Sequence, residues 1–197
     1  LSKSVGDENQ ENFINSMFEK SIRFFLCICL GIICCMSLFF DLIIGENYRD
    51  AYPHVYILLI AIFFNSLCSL LGGVFTAFKR SDVIGKTTIG GAIVNFVVNI
   101  VSIKFIGLYA ASISTLISYI VIVILRTISA NKLMKLIYPN RFIFQAIVVT
   151  AVVTIGYFLR VVSLNILILI FLFIWSCYSN KELVKTTFET LLKRIKH

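Results

Sequence analysis

The sequence predicts an all-α, polytopic transmembrane helix bundle of about six spans, and two observations carry that prediction. Of its 197 residues, 59% are hydrophobic and 14% are charged, whereas soluble domains carry about 25% charged residues; mean hydropathy is +0.94. The charge-free stretches also have the right length. They cover residues 24–40, 55–78, 87–103, 105–125, 142–159 and 161–180, and a helix needs ~17 to 25 apolar residues to cross a bilayer core. Helices satisfy their own backbone hydrogen bonds in lipid, and barrel strands would show ~10-residue segments of alternating polarity, which the sequence lacks.

Taken in order, residues 1–21 form a cytoplasmic amphipathic lead-in. Phe13, Ile14, Met17 and Phe18 recur at helical spacing, on a helix that either lies on the membrane surface or forms the inner end of a longer first span. Residues 22–128 hold four spans. The outer loop 45–54 carries the turn-formers Gly45, Asn47 and Pro53, and Pro53 suits the start of the second helix. A short basic turn, 79–86, joins the second and third spans as neighbours. Residues 129–141 are a longer cytoplasmic loop with the Tyr138-Pro139-Asn140 turn signal, the best internal boundary. Residues 142–180 form a terminal helix pair joined near Arg160 and Ser163. Residues 181–197 place Leu183, Val184, Phe188, Leu191, Leu192 and Ile195 on one face against lysines, a basic amphipathic tail suited to the inner membrane surface. The segment beginning at Leu1 resembles neither a translation start nor a secretory signal, so the chain is expected to be a fragment lacking an N-terminal part.

The formal charge of +8 reads as an orientation signal. With odd-numbered spans running outward, inner segments carry Lys3, Lys20, Arg23, Lys79, Arg80, Lys86, Arg126, Lys132, Lys135, Arg141, Lys181, Lys185, Lys193, Arg194 and Lys196, and outer segments carry Arg49, Lys104 and Arg160. The positive-inside rule then places both termini in the cytoplasm, and nucleic acid is not an expected partner. All six cysteines (Cys27, Cys29, Cys34, Cys35, Cys68, Cys177) lie in apolar runs, away from the polar loops and spacings of disulfide or zinc sites. His54 and His197 have no ligand or base partner at helical spacing, and the acids are scattered at surfaces. No enzyme, metal or cofactor site is expected.

Polar residues inside spans mark helix contacts or a pathway, because lipid supplies no hydrophobic push between helices. The second span carries Asn65, Ser69, Gly72 and Thr76 on one stripe; the third carries Gly91, Asn95, Asn99 and Ser102; the fourth carries Ser112, Thr115, Ser118 and Tyr119. Gly72, Gly91, Ser112, Thr115 and Ser118 are expected to pack helices. Asn65, Asn95, Asn99, Lys104 and Arg126 are the transport-path candidates. For each the alternatives are packing or a hydrophilic cavity, and for Lys104 and Arg126 a membrane-edge anchor or contact with an anionic phosphate.

The stretch Gly91-x3-Asn95-x3-Asn99, followed by Gly107-Leu-Tyr-Ala110-Ala111-Ser-Ile-Ser-Thr115-Leu-Ile-Ser118-Tyr119, resembles the second-lobe signature of bacterial polysaccharide flippases, members of the multidrug/oligosaccharidyl-lipid/polysaccharide exporter superfamily. The segment Gly45-Glu-Asn-Tyr48-Arg-Asp-Ala51 and the turn Ala77-Phe-Lys79-Arg80 resemble the family's outer loop and inner turn. Lys104 stands where the family usually has proline, and Ala110 where it has glycine. The resemblance covers residues 6–126.

It implies a piece of the second lobe of a twelve- to fourteen-helix transporter of the bacterial cytoplasmic membrane. The implied activity is alternating-access translocation of polyprenyl-diphosphate-linked oligosaccharide for O-antigen, lipopolysaccharide or other polysaccharide biosynthesis, with membrane lipid and the missing N-terminal part of the same protein as partners. A cation or drug exporter of the same superfamily is the alternative. A multispan membrane enzyme, or a noncatalytic membrane subunit, fits less well.

Overall fold

The computed structural model describes residues 8–137, 139–181 and 185. Within them the chain is helical, without strands: α1 (Glu8–Ile43), a 3-10 segment (Glu46–Ala51), α2 (Tyr52–Ala77), α3 (Ser81–Ile106), α4 (Tyr109–Ala130), α5 (Asn140–Leu159) and α6 (Val162–Ser179). All six α-helices are long and apolar enough to cross a membrane, as the hydropathy pattern predicts. Residues 1–7, and the tail beyond Lys181 apart from Lys185, lie outside the described residues, and with them most of the tail's amphipathic face. Large apolar side chains such as Phe96, Phe105, Phe144 and Phe173 stand exposed along the helices, as befits side chains whose solvent is hydrocarbon.

The helix ends have local causes. Pro53 occupies the first turn of α2, where its missing N–H costs no helical bond. At the other end of α2, Lys79 adopts φ 55 and the Arg80 N–H reaches back to the Phe75 carbonyl at 2.7 Å, the six-to-one bond of a Schellman ending. Gly107, with φ 54, ends α3, and its N–H donates to the Ile103 carbonyl at 3.1 Å. Arg160 takes the left-handed conformation after α5, which lets α6 begin at Val162 after a two-residue turn.

The chain divides into two compact units, residues 1–18 with 41–138 and residues 19–40 with 139–197. In the first, α4 packs against both α2 and α3. The lead-in belongs to α1 and reaches the loop after α4. There the Asn15 side chain, 7% exposed, donates to the Lys135 carbonyl and accepts from the Ile137 N–H, both at 3.0 Å, while Asn131 Oδ1 accepts from the Leu136 N–H. These bonds satisfy backbone groups that an irregular segment would otherwise leave unpaired.

In the second unit the middle of α1 is tied to α6 by Asn165 Nδ2, which donates to Ser37 Oγ at 2.7 Å, and to α5 by the Arg23 guanidinium, 4.4 Å from the centre of the Phe142 ring. Trp175 stacks on the same Phe142. A Cβ on Gly156 would stand 2.4 Å from Ile168 Cδ1 and 2.8 Å from Asn165 Oδ1, so a larger residue there would push these side chains aside. The cysteines carry free thiols.

Candidate functional site

The α3–α4 pair is built around a glycine. A Cβ on Gly91 would fall 2.3 Å from Ile122 Cδ1, so the missing side chain lets α4 seat against α3, as small residues do in membrane helix pairs. From that contact two carboxamides extend at successive turns. Asn95 Nδ2 lies 3.4 Å from Thr115 Oγ1, and Asn99 Nδ2 lies 3.4 Å from Ser114 Oγ. Thr115 and Ser114 also bond to the Ala111 carbonyl, at 2.8 and 3.1 Å, so the hydroxyls already have acceptors within α4.

Both asparagine bonds are long for N–H···O contacts, and each carboxamide keeps a second N–H and oxygen lone pairs in reserve. They open on a groove of about 640 Å³ whose polar lining is Asn95, Asn99, Thr88, Thr115, Ser118 and Tyr119, with Phe96 and Ile100 among its apolar walls. No charged side chain lines it. Asn95 stands near the middle of the 26-residue α3, which at 1.5 Å per residue is about 21 Å from one end and about 17 Å from the other. Such a groove can hydrogen-bond an uncharged, hydroxyl-rich group and offers no counter-ion to a cation.

A second cluster surrounds Arg126, which is 5% exposed. Its Nε donates to Thr87 Oγ1 at 3.0 Å, Nη1 to the Cys68 carbonyl, and Nη2 to the Ile84 carbonyl at 3.4 Å and to Thr88 Oγ1 at 3.0 Å. Every partner is uncharged, and among the described residues no carboxylate pairs with it. The guanidinium joins α2, α3 and α4, and Gly72 lies beside it, where a Cβ would come into van der Waals contact, 3.4 Å from Nη1. Arg126 is thus buried among three helices, with its charge turned into the protein.

The structure therefore brings Gly91, Asn95, Asn99, Thr115 and Ser118 to one groove and places Gly72 with Arg126. Ser112 belongs elsewhere, buried with its hydroxyl 3.2 Å from His54 Nδ1, and His54 lies in the first turns of α2, not in a loop. Asn65 is exposed on α2, and Lys104 is exposed in the last turn of α3. On α2, Ser69 and Thr76 return their hydroxyls to the carbonyls of Asn65 and Gly72, while the buried residues include Ala61, Cys68, Leu71, Gly72, Val74 and Phe75. Thr87 and Thr88 are the residues that sequence reasoning passed over. Their position directly after the basic residue Lys86 gives no hint of Arg126, which they face only when α3 and α4 are brought together. No family model, curated protein or solved structure matches the chain.

Proposed function

We propose that the chain is part of a carrier that moves polyprenyl-diphosphate-linked oligosaccharide across the bacterial cytoplasmic membrane, with both ends of the chain on the cytoplasmic side. The observation that carries this reading is the meeting of the flippase-like residues Gly91, Asn95, Asn99, Thr115, Ser118 and Tyr119 at one uncharged, hydrogen-bonding groove. Sugar hydroxyls need donors and acceptors without fixed charge, which Asn, Ser, Thr and Tyr supply. A groove near mid-span suits alternating access, in which two lobes rock about a central site. The excess of Lys and Arg on the α2–α3 turn and the α4–α5 loop over the opposite helix ends supports the cytoplasmic orientation. The absence of an acid from the groove lining favours a glycan over a cationic drug.

The test is reconstitution of the full-length protein into proteoliposomes loaded on one leaflet with a lipid-linked oligosaccharide, followed by a glycan-cleaving enzyme that acts from outside. Protein-dependent change in the accessible fraction is expected. An unchanged fraction, with the protein folded and correctly inserted, removes the reading.

A further inference from the structure

Away from the groove, a smaller recess of about 170 Å³ lies where the α2–α3 turn meets the end of α4, lined by Arg80, Ser129, Lys132, Val83 and Leu133. Three spans end here: α2 at Ala77, α3 begins at Ser81, and α4 closes at Ala130. In a bilayer crossed by these helices the recess would lie at the depth of lipid headgroups. Its volume is several times the ~30 Å³ share of one water, enough for a phosphate group, and two of its walls are aliphatic.

The charge around it is strongly of one sign. Arg80 and Lys132 line it, and Lys79 and Lys86 flank Arg80 along the chain. Among residues 79–86 the acid is Asp82, which accepts from Arg80 Nε at 3.0 Å and from Nη2 at 3.4 Å and lies 3.8 Å from Lys86 Nζ. Four cations against one carboxylate leave an excess of three. Asp82 also pushes the pKa of Arg80 up through its hydrogen bond, so the guanidinium stays charged. Lys132 is exposed and has no ion-pair partner among the described residues. Arg80 precedes the first turn of α3 with no side-chain cap, and in that turn the Val83 N–H is taken by the Arg80 carbonyl at 3.0 Å.

We propose that this recess holds the phosphate of an anionic phospholipid headgroup, gripped by Arg80, Lys132 and the Ser129 hydroxyl, with Val83 and Leu133 against its glycerol and upper acyl carbons. Basic recesses between membrane helices are suited to such headgroups, and each Lys or Arg near an anionic surface strengthens binding by about fivefold. The site is independent of the α3–α4 groove, so it stands or falls separately from the carrier reading.

The experiment is native mass spectrometry of the full-length protein in micelles doped with phosphatidylglycerol or phosphatidylcholine, with and without added inorganic phosphate. Selective retention of phosphatidylglycerol is expected, falling about fivefold in Arg80→Gln and in Lys132→Gln and further in the double variant, while Lys132→Arg retains it. Equal retention of the two lipids, or phosphatidylglycerol retained undiminished by the double variant, overturns the proposal. Displacement by millimolar inorganic phosphate with no lipid selectivity assigns the recess to free phosphate and overturns the lipid source. Both side chains are solvent-exposed, so the variants keep the fold, which thermal unfolding verifies.

Discussion

Replacing Arg126 separates its charge from its reach across three helices. In Arg126→Met the side chain keeps a similar length and loses four hydrogen bonds, which at ~0.6 kcal/mol each for interhelical bonds in membranes is about 2.4 kcal/mol. Against that, an in-span arginine costs ~2.5 to 3.5 kcal/mol at mid-membrane on insertion scales, and less nearer the end of the helix. Nothing is orphaned by the change. Thr87 keeps its bonds to the Val83 and Ile84 carbonyls, Thr88 keeps its bond to Ile84, and the Cys68 and Ile84 carbonyls remain in their helical ladders. The opposing terms leave Arg126→Met within about 1 kcal/mol of the parent. Arg126→Lys behaves differently. It retains the charge and its desolvation but gathers its three N–H donors on one nitrogen, which does not span acceptors on both α2 and α3 as the planar guanidinium does; keeping one of the four bonds leaves a loss of about 1.8 kcal/mol. The assay is SDS titration of the purified full-length protein in mixed micelles, read by helical circular dichroism and by reactivity of the buried Cys68 thiol. The expected order of stability is parent close to Met, with Lys below both. A lysine variant as stable as the parent, beside a clearly destabilised methionine variant, would refute the reasoning, because charge and not three-helix bonding would then hold the cluster together.

The packing sets three further outcomes. Gly91→Ala drives a Cβ into Ile122 and is expected to cost ~1 to 3 kcal/mol as overpacking; Ile122→Ala in the same chain restores most of that in the same SDS titration, and no restoration would mean that α3 and α4 do not meet there. Asn165→Ala breaks the bond to Ser37 and lowers stability by ~0.6 to 1.7 kcal/mol, with a double-mutant cycle against Ser37→Ala showing coupling and additive losses counting against it. Asn15→Ala releases the Lys135 carbonyl and the Ile137 N–H, and limited trypsin digestion should cut after Lys132 and Lys135 faster than in the parent; unchanged cleavage would show that the segment does not depend on this clamp.

The helices were legible because hydropathy and span length are properties of single segments. Each apolar run became a helix, and Pro53 and Gly107 mark ends where their backbone preferences require them. The Gly91, Asn95 and Asn99 periodicity was likewise readable, since one face of one helix carries it. What the sequence hid depends on partners distant in the chain. Of the polar stripe of α2 only Gly72 is buried, with Cys68 and Phe75 beside it, while Ser69 and Thr76 satisfy their hydroxyls on their own helix and Asn65 stays exposed. Periodicity separated Gly72 from its neighbour Gly73, but not what Gly72 would meet, which is Arg126 and Ile84. The role of Arg126 stayed open among its alternatives because a count of residues along α4 contains nothing about Thr87, Thr88 or the Cys68 carbonyl. The short turn at Arg160 was legible as the break between two apolar runs, but its left-handed backbone was not, because arginine rarely adopts it.

The most direct test of the account is thiol labelling of Asn99→Cys in a cysteine-free background of the full-length protein, using a charged, membrane-impermeant reagent with and without polyprenyl-diphosphate oligosaccharide. The account predicts that Asn99→Cys reacts, that Val101→Cys on the exposed apolar surface of α3 does not, and that the lipid-linked glycan protects Asn99→Cys. Labelling of both positions alike, or reaction at Asn99→Cys that the glycan leaves unchanged, would contradict it.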